Sequence, residues 1–169
     1  MNLPFNGLET KIATMCLLRE NGKTVMIHRD KDPEHFMHGM WGFPGGKFNS
    51  EDEGIPEKCI RREYGEEGGV ELINLQYRGV VFFDNKHRNF QGKPAKFNFL
   101  VYVFEAYNHG GELNSSCNEG SIHWVEDGEI RKLKMEKGDQ YILDLLEKKI
   151  PLNHRIILSD NDAKIEPIS

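Results

Sequence analysis

The sequence predicts a single α/β domain, and two observations carry that expectation. Four apolar runs of strand length recur along the chain, at residues 11–19, 24–29, 72–83 and 96–106. Two stretches with helical signals, 56–67 and 139–149, lie between and after them, and strand and helix periods mixed along one chain point to a layered fold of both. A length of 169 residues is enough for one domain with a sizeable buried core, taken as residues 1–169.

Taken in order, residues 1–9 read as a loose lead-in. Residues 11–19 (KIATMCLLR) form a strand, Asn21-Gly22 is a hairpin turn signal, and 24–29 (TVMIHR) return. Residues 31–40 contain Pro33 and Gly39 and read as a loop. His35 and His38 within it lack a third ligand at metal spacing, and the alternative to a plain loop is the border of a substrate pocket. Pro56 suits a first helical turn, Gly68-Gly69 ends the helix, and Cys59, Ile60 and Tyr64 would face the core. Residues 72–83 are rich in β-branched and aromatic side chains. Residues 96–106 alternate Phe97, Phe99, Val101 and Val103 on one face with Leu100, Tyr102 and Phe104 on the other, the pattern of a central strand covered on both sides.

Between these two strands DNKHRNFQGKPA is basic around one ring. It is either a solvated hairpin tip or a loop in which Arg88 meets phosphate and Phe90 stacks a base. A turn at His109-Gly110-Gly111, a loop over 112–120 and a short strand at 122–125 follow. Ile142, Leu143, Leu145 and Leu146 make 139–149 an amphipathic helix, with Asp139 as its cap and Pro151 past its end. A last strand covers 154–158, and the polar tail of 159–169 is expected to fray.

The chemistry concentrates at residues 45–70. Arg62, Glu63, Glu66 and Glu67 stand there at offsets of zero, one, four and five, so a helix would put the three glutamates on one face. Carboxylates packed so closely repel one another unless a cation lies among them, and Mg2+ or Mn2+ favours oxygen ligands. The plainer alternative is a solvated acidic helix face.

Here the chain resembles the Nudix hydrolases, whose pattern is G-x5-E-x7-R-E-U-x-E-E-x-G-U with U apolar. The run Arg62-Glu63-Tyr64-Gly65-Glu66-Glu67-Gly68-Gly69-Val70 fits the second half, and Trp41-Gly42-Phe43-Pro44-Gly45-Gly46 resembles the approach to it. The first half departs: counted back from Arg62, Gly54 stands where the pattern has glutamate, and seven residues separate it from Gly46. Glu51, Asp52 and Glu53 precede it, and Arg62 would brace the loop through Glu53, the alternative being an exposed i,i+4 partner for Glu66. The resemblance implies an α/β/α sandwich around a central mixed β-sheet. It also implies a Mg2+ site (Mn2+ as the other candidate) built from Gly46, Glu63, Glu66 and Glu67, with Glu63 close to the general-base role. Glu119 is the expected further acid from a later loop, its alternative a surface glutamate.

The length, the NEGSIHWV segment and KGDQYILDLLEKK also resemble the MutT-like branch, the 8-oxo-dGTP diphosphatases, where an acid at the start of the last helix, here Asp139, would touch the purine edge. The reaction implied is cleavage of a purine nucleoside triphosphate to monophosphate and pyrophosphate. The alternatives are a pyrophosphatase acting on ADP-ribose or a similar linked diphosphate, and a nucleotide-sensing module without turnover.

Composition narrows the partners. A net charge of −5 argues against broad duplex binding, while a local basic patch could still meet a small phosphorylated substrate, which the resemblance implies is a nucleotide. Cys16, Cys59 and Cys117 are too scattered for a disulfide framework or zinc spacing. No basic-then-apolar leader opens the chain and no run is long enough for a bilayer, so a cytoplasmic monomer or homodimer is the expectation.

Overall fold

Asn21, at φ 50°, and Gly22, at φ 73°, turn the first strand, β1 (Glu9–Glu20), back into β2 (Lys23–His28). These and all later elements come from a computed structural model, which describes residues 6–168. Residues 1–5 of the expected lead-in lie outside the described residues, whereas Asn6 is tied down by its amide, which donates to Asp84 at 2.7 Å.

Two short strands, β3 (Trp41–Gly42) and β4 (Gly45–Lys47), precede the helix α1 (Pro56–Glu63). After it come β5 (Glu71–Ile73), β6 (Gln76–His87), the small hairpin β7 (Asn89–Phe90) and β8 (Lys93–Pro94), and β9 (Phe97–Ala106). Then follow β10 (Asn108–Gly110), β11 (Ser121–Glu126), α2 (Lys137–Glu147), β12 (His154–Ser159) and β13 (Ala163–Pro167). The main sheet is mixed and runs β11-β2-β1-β9-β6-β12-β13, with β1 parallel to β9, β12 parallel to β6, and the other neighbours on that path antiparallel.

Both faces of that sheet are covered. Leu17, Val81, Val101, Val103 and Ile156 pack with Ile142, Leu143 and Leu145 of α2 on one side. Cys16, Leu18, Val25 and Phe104 pack with Ile60 and Tyr64 on the other. The expected alternation along β9 is therefore real, and it produces the sandwich: each face of the central strand meets a different helix. Tyr64 is fully sunk in the second layer, where its hydroxyl donates to the carbonyl of Cys16 at 2.7 Å.

One detail of this frame opens the site. β1 uses Ala13–Met15 to pair with β4 but Arg19 and Glu20 to pair with β2, so the chain forks along a single strand. The backbone N–H of Cys16 donates to Pro44 O at 3.1 Å at the fork.

Several boundaries differ from expectation. The stretch 72–83 is two strands, because Asn74 takes φ 53° and breaks the run before β6. His109 and Gly110, expected in a turn, lie in β10 and pair with β5, and only Gly111, at φ 87°, turns the chain. The tail expected to fray from Ser159 holds β13, whose residues pair with β12 from Leu158↔Ala163 to His154↔Pro167. α2 begins at Lys137 with Glu136 before it, so Asp139 lies inside the first turn and is not the cap. Among the described residues no helix is long and apolar enough to cross a membrane.

Candidate active site

The helix expected over 56–67 is regular only to Glu63. Over Tyr64–Gly68 the backbone widens into a π-helical turn, closed by Gly69 at φ 70°. Such wide turns cost hydrogen-bond geometry and recur at functional sites. Here the turn carries Glu66 and Glu67, and the Asn114 amide donates to the carbonyl of Glu67 at 3.1 Å.

Arg62 organises the carboxylates. Its Nε and Nη2 donate to the two oxygens of Asp52 at 2.8 and 2.9 Å, a forked pair of charge-assisted bonds. Its Nη1 donates to Glu63 at 2.8 Å and to Glu66 at 3.1 Å, and Nη2 also reaches Lys47 O at 3.0 Å. Asp52 is 1 % exposed and receives a further bond from the Asn49 N–H at 2.8 Å. The Arg62 guanidinium holds its carboxyl down at about 2. The bracing partner is thus Asp52, and the expectation of Glu53 is corrected: Glu53 is an exposed residue paired with Lys58. The signal was present in the chain. Counted forward from Gly46, five residues (47–51) precede Asp52, so the motif's acid is in place and the extra length lies between it and Arg62.

Gly46 is required by proximity. A Cβ there would collide with the Glu63 carboxyl group, so the bare backbone lets β4 lie against α1. Burial raises the Glu63 carboxyl above the usual range despite Arg62. Glu67 is pushed up to about 7, first by burial and then by the charges of Glu119 and Glu63, with Arg29 opposing. Glu119 comes from the 112–120 loop and lies 3.9 Å from Arg29 Nε. Four acids from two segments therefore share one region of negative potential. Among the described residues no group of three or more His, Cys, Asp or Glu side chains stands at metal-holding separations, and Glu63 and Glu66 are both engaged by Arg62. The donor set nonetheless suits a hard divalent cation, since the residues are hard oxygen donors with surplus negative charge.

A cleft of about 590 Å3 adjoins this region. It brings together Gly46, Arg62, Glu63 and Glu119 with Arg88, Phe90 and Asp139, whereas Glu66 and Glu67 do not line it. Phe43, Phe83 and Phe99 supply apolar wall. Arg88 enters the cleft as half of a buried, two-pronged ion pair with Glu136, one prong 2.7 Å long, and not as a free cation. Its guanidinium lies 4.5 Å from the Phe90 ring centre, and Phe90 meets Phe36 edge-on at 4.8 Å. Asp139 is half-buried, and burial raises its carboxyl to about 6 against the pull of Arg29 and Arg88. His35 borders the cleft, so the loop alternative that touched the pocket is the one realised.

Two lining residues had no signal in the sequence. Arg29 ends the strand run 24–29 and looks like ordinary strand punctuation. Its Nη1 is buried against Gly42 and has no hydrogen-bond partner. Asn85 lies near the end of β6, in the stretch DNKHRNFQGKPA read from the sequence as a basic loop, where an amide draws no notice.

The NUDIX domain model matches residues 9–146. A relative named "Uncharacterized Nudix hydrolase YvcI", from Bacillus subtilis (strain 168), is 32% identical over 141 residues, covering 83% of this chain and 82% of its own. An 8-oxo-dGTP diphosphatase from Proteus vulgaris is 33% identical over 86 residues, which are 51% of this chain and 70% of that protein. Among solved structures, a mutator MutT protein from Bacillus halodurans superposes with a TM-score of 0.74 at 23% identity, over 94% of this chain and 99% of its own.

Proposed function

The chain belongs to the NUDIX domain family and is a pyrophosphohydrolase, and we propose that its substrate is a purine nucleoside triphosphate of the 8-oxo-dGTP kind, cleaved to monophosphate and pyrophosphate. Nudix hydrolases are generally dependent on a divalent metal. In this reading the ion is Mg2+, or Mn2+ in its place, and Glu63, Glu66, Glu67, Glu119 and the Gly46 carbonyl would hold it. Once bound, such an ion neutralises phosphate charge and lowers the pKa of a coordinated water.

One observation carries the proposal: a single cleft joins Glu63 and Glu119 to an aromatic, partly polar chamber of a size suited to a small ligand. The protein's own groups then divide the work. Arg62, fixed by Asp52, keeps the loop and Glu63 in register. Arg29 offers an unpaired donor beside Glu119, where a triphosphate oxygen would accept it. Phe83, Phe90 and Phe99 give the base apolar and stacking surface, and Asp139 offers a carboxyl to a purine edge. Arg88, already neutralised by Glu136, positions Phe90 and leaves the phosphates to other residues. Water adds to one phosphorus of the α–β anhydride as that bridge breaks, and a carboxylate of the cluster takes the proton that water gives up.

The test is to incubate the purified protein and Mg2+ with 8-oxo-dGTP, ordinary deoxynucleoside triphosphates and ADP-ribose, and to identify the products. Monophosphate plus pyrophosphate, with 8-oxo-dGTP preferred, is the expected result. AMP plus ribose 5-phosphate from ADP-ribose alone would replace this reading with a linked-diphosphate pyrophosphatase, and binding without products would replace it with the sensor.

A further inference from the structure

Among the described residues, two buried side-chain polar atoms lack a hydrogen-bond partner, Arg29 Nη1 and Asn85 Oδ1, and both residues line the cleft. One is a donor and the other an acceptor. A buried acceptor left unpaired bears its full desolvation cost, so in native proteins it calls for a specific reason.

Asn85 lies on β6 and is 3 % exposed. Its orientation is set by its neighbours. Nδ2 donates to the Phe97 carbonyl at 3.0 Å, so turning the amide over would set oxygen against oxygen and leave Oδ1 without purpose on that side. The backbone N–H of Asn85 donates to Asn98 Oδ1 at 3.1 Å, which fixes the strand beneath it. Phe83, two residues back, shares its face of β6 and also lines the cleft. Asp84 points to the opposite face, where Arg155 and Asn6 occupy it. The free acceptor therefore belongs to the chamber that Phe83, Phe90 and Asp139 share, not to the carboxylate end.

We propose that Asn85 is a specificity-determining residue whose Oδ1 accepts a hydrogen bond from an N–H of the substrate's base. This rests on the nucleoside triphosphate reading above. A site built to pair a donor discriminates against an analogue lacking it much more sharply than apolar contact does, because the buried acceptor is then left unpaired. Purines of the guanine type offer such donors at N1, at the 2-amino group and, when oxidised at C8, at N7.

The experiment measures kcat/KM for pairs of triphosphates that differ in one donor position: 8-oxo-dGTP against dGTP, a pair that also differs by the C8 oxygen, dGTP against dITP, and dGTP against its N1-methyl derivative. Each pair is run on the wild-type protein, Asn85→Leu and, should that variant fold poorly, Asn85→Ala. The wild type is expected to discriminate at least one pair by roughly tenfold or more, and that ratio should fall toward one in the variant. A merely structural Asn85 would lower every kcat/KM together and leave the ratios unchanged, which would overturn the proposal, as would a wild type that discriminates none of the pairs. A wild type that cleaves no triphosphate would instead remove the reading on which it rests.

Discussion

At Arg62 one guanidinium serves Asp52, Glu63 and Glu66 at once, and the consequences differ from acid to acid. Asp52 is held down at about 2 from an ordinary 3.8. Its contribution to stability is therefore complete above about pH 4 and is lost as the pH falls through the folded value. Asp52→Asn keeps the shape and removes the charge. We expect it to cost roughly 1–3 kcal/mol in a urea melt at pH 7, with the difference from wild type shrinking toward pH 2. A pH-independent difference would mean that packing, not the ion pair, holds the loop. Asp139 has the opposite sign. Burial raises it to about 6, so its ionisation is disfavoured in the fold and stability declines as the pH rises from about 4 to 6. Asp139→Asn should melt as wild type does at pH 4, be more stable by about 1–3 kcal/mol at pH 7, and lose preference among purines. A cost of that kind is consistent with the ligand-reading role proposed for Asp139, and an equal or lower stability of the variant at pH 7 would argue against the cost.

The elements place these residues by close approach. A Cβ on Gly138 would collide with the Phe83 ring, so the first turn of α2 lies directly on β6, beside the cleft, with Asp139 next in the chain. Gly138→Ala gains up to about 1 kcal/mol in helix propensity, but overpacking costs roughly 1–3 kcal/mol, and the Phe83 ring yields by turning into the cleft that it walls. We expect a net loss of about 1 kcal/mol and a raised KM with kcat nearly kept, read by thermal melts and steady-state kinetics. An unchanged KM would mean that Phe83 and Asp139 do not act together on the ligand. The same elements show what was legible beforehand. α1 and β9 were readable because their signals are local: Ile60 and Tyr64 repeat at helical spacing, and Phe99, Val101 and Val103 alternate. β13 was not, because AKIEP has little apolar pattern and forms by pairing with β12. Asp52 was missed by counting the motif from Arg62 alone. Arg29 and Asn85 carry no local signal, since their importance lies in what the fold fails to pair with them.

For the whole molecule, the cluster of acids is a source of strain that a cation would relieve. The chain already carries a net charge of −5, and Glu67 is raised to about 7 by burial and by the charges of Glu119 and Glu63. Near neutrality it is therefore shared between its protonated and ionised forms, and a divalent ion must compete with that proton. Mg2+ at a hundredfold excess over its Kd would stabilise the fold by about 2.7 kcal/mol. For a domain of this size that is a rise in Tm of roughly 5–10 °C. The rise should be larger at pH 8 than at pH 6, and sodium chloride at matched ionic strength should not reproduce it, because simple screening acts on every exposed charge alike. If Glu67 holds the ion as proposed, Glu67→Gln removes one ligand and the competing proton together. It should fold normally, lose Mg2+-dependent turnover, and show a smaller Tm rise that no longer varies between the two pH values. A variant that kept wild-type turnover and the full pH-dependent shift would take Glu67 out of the metal site and leave Glu63 and Glu119 as the acids to test.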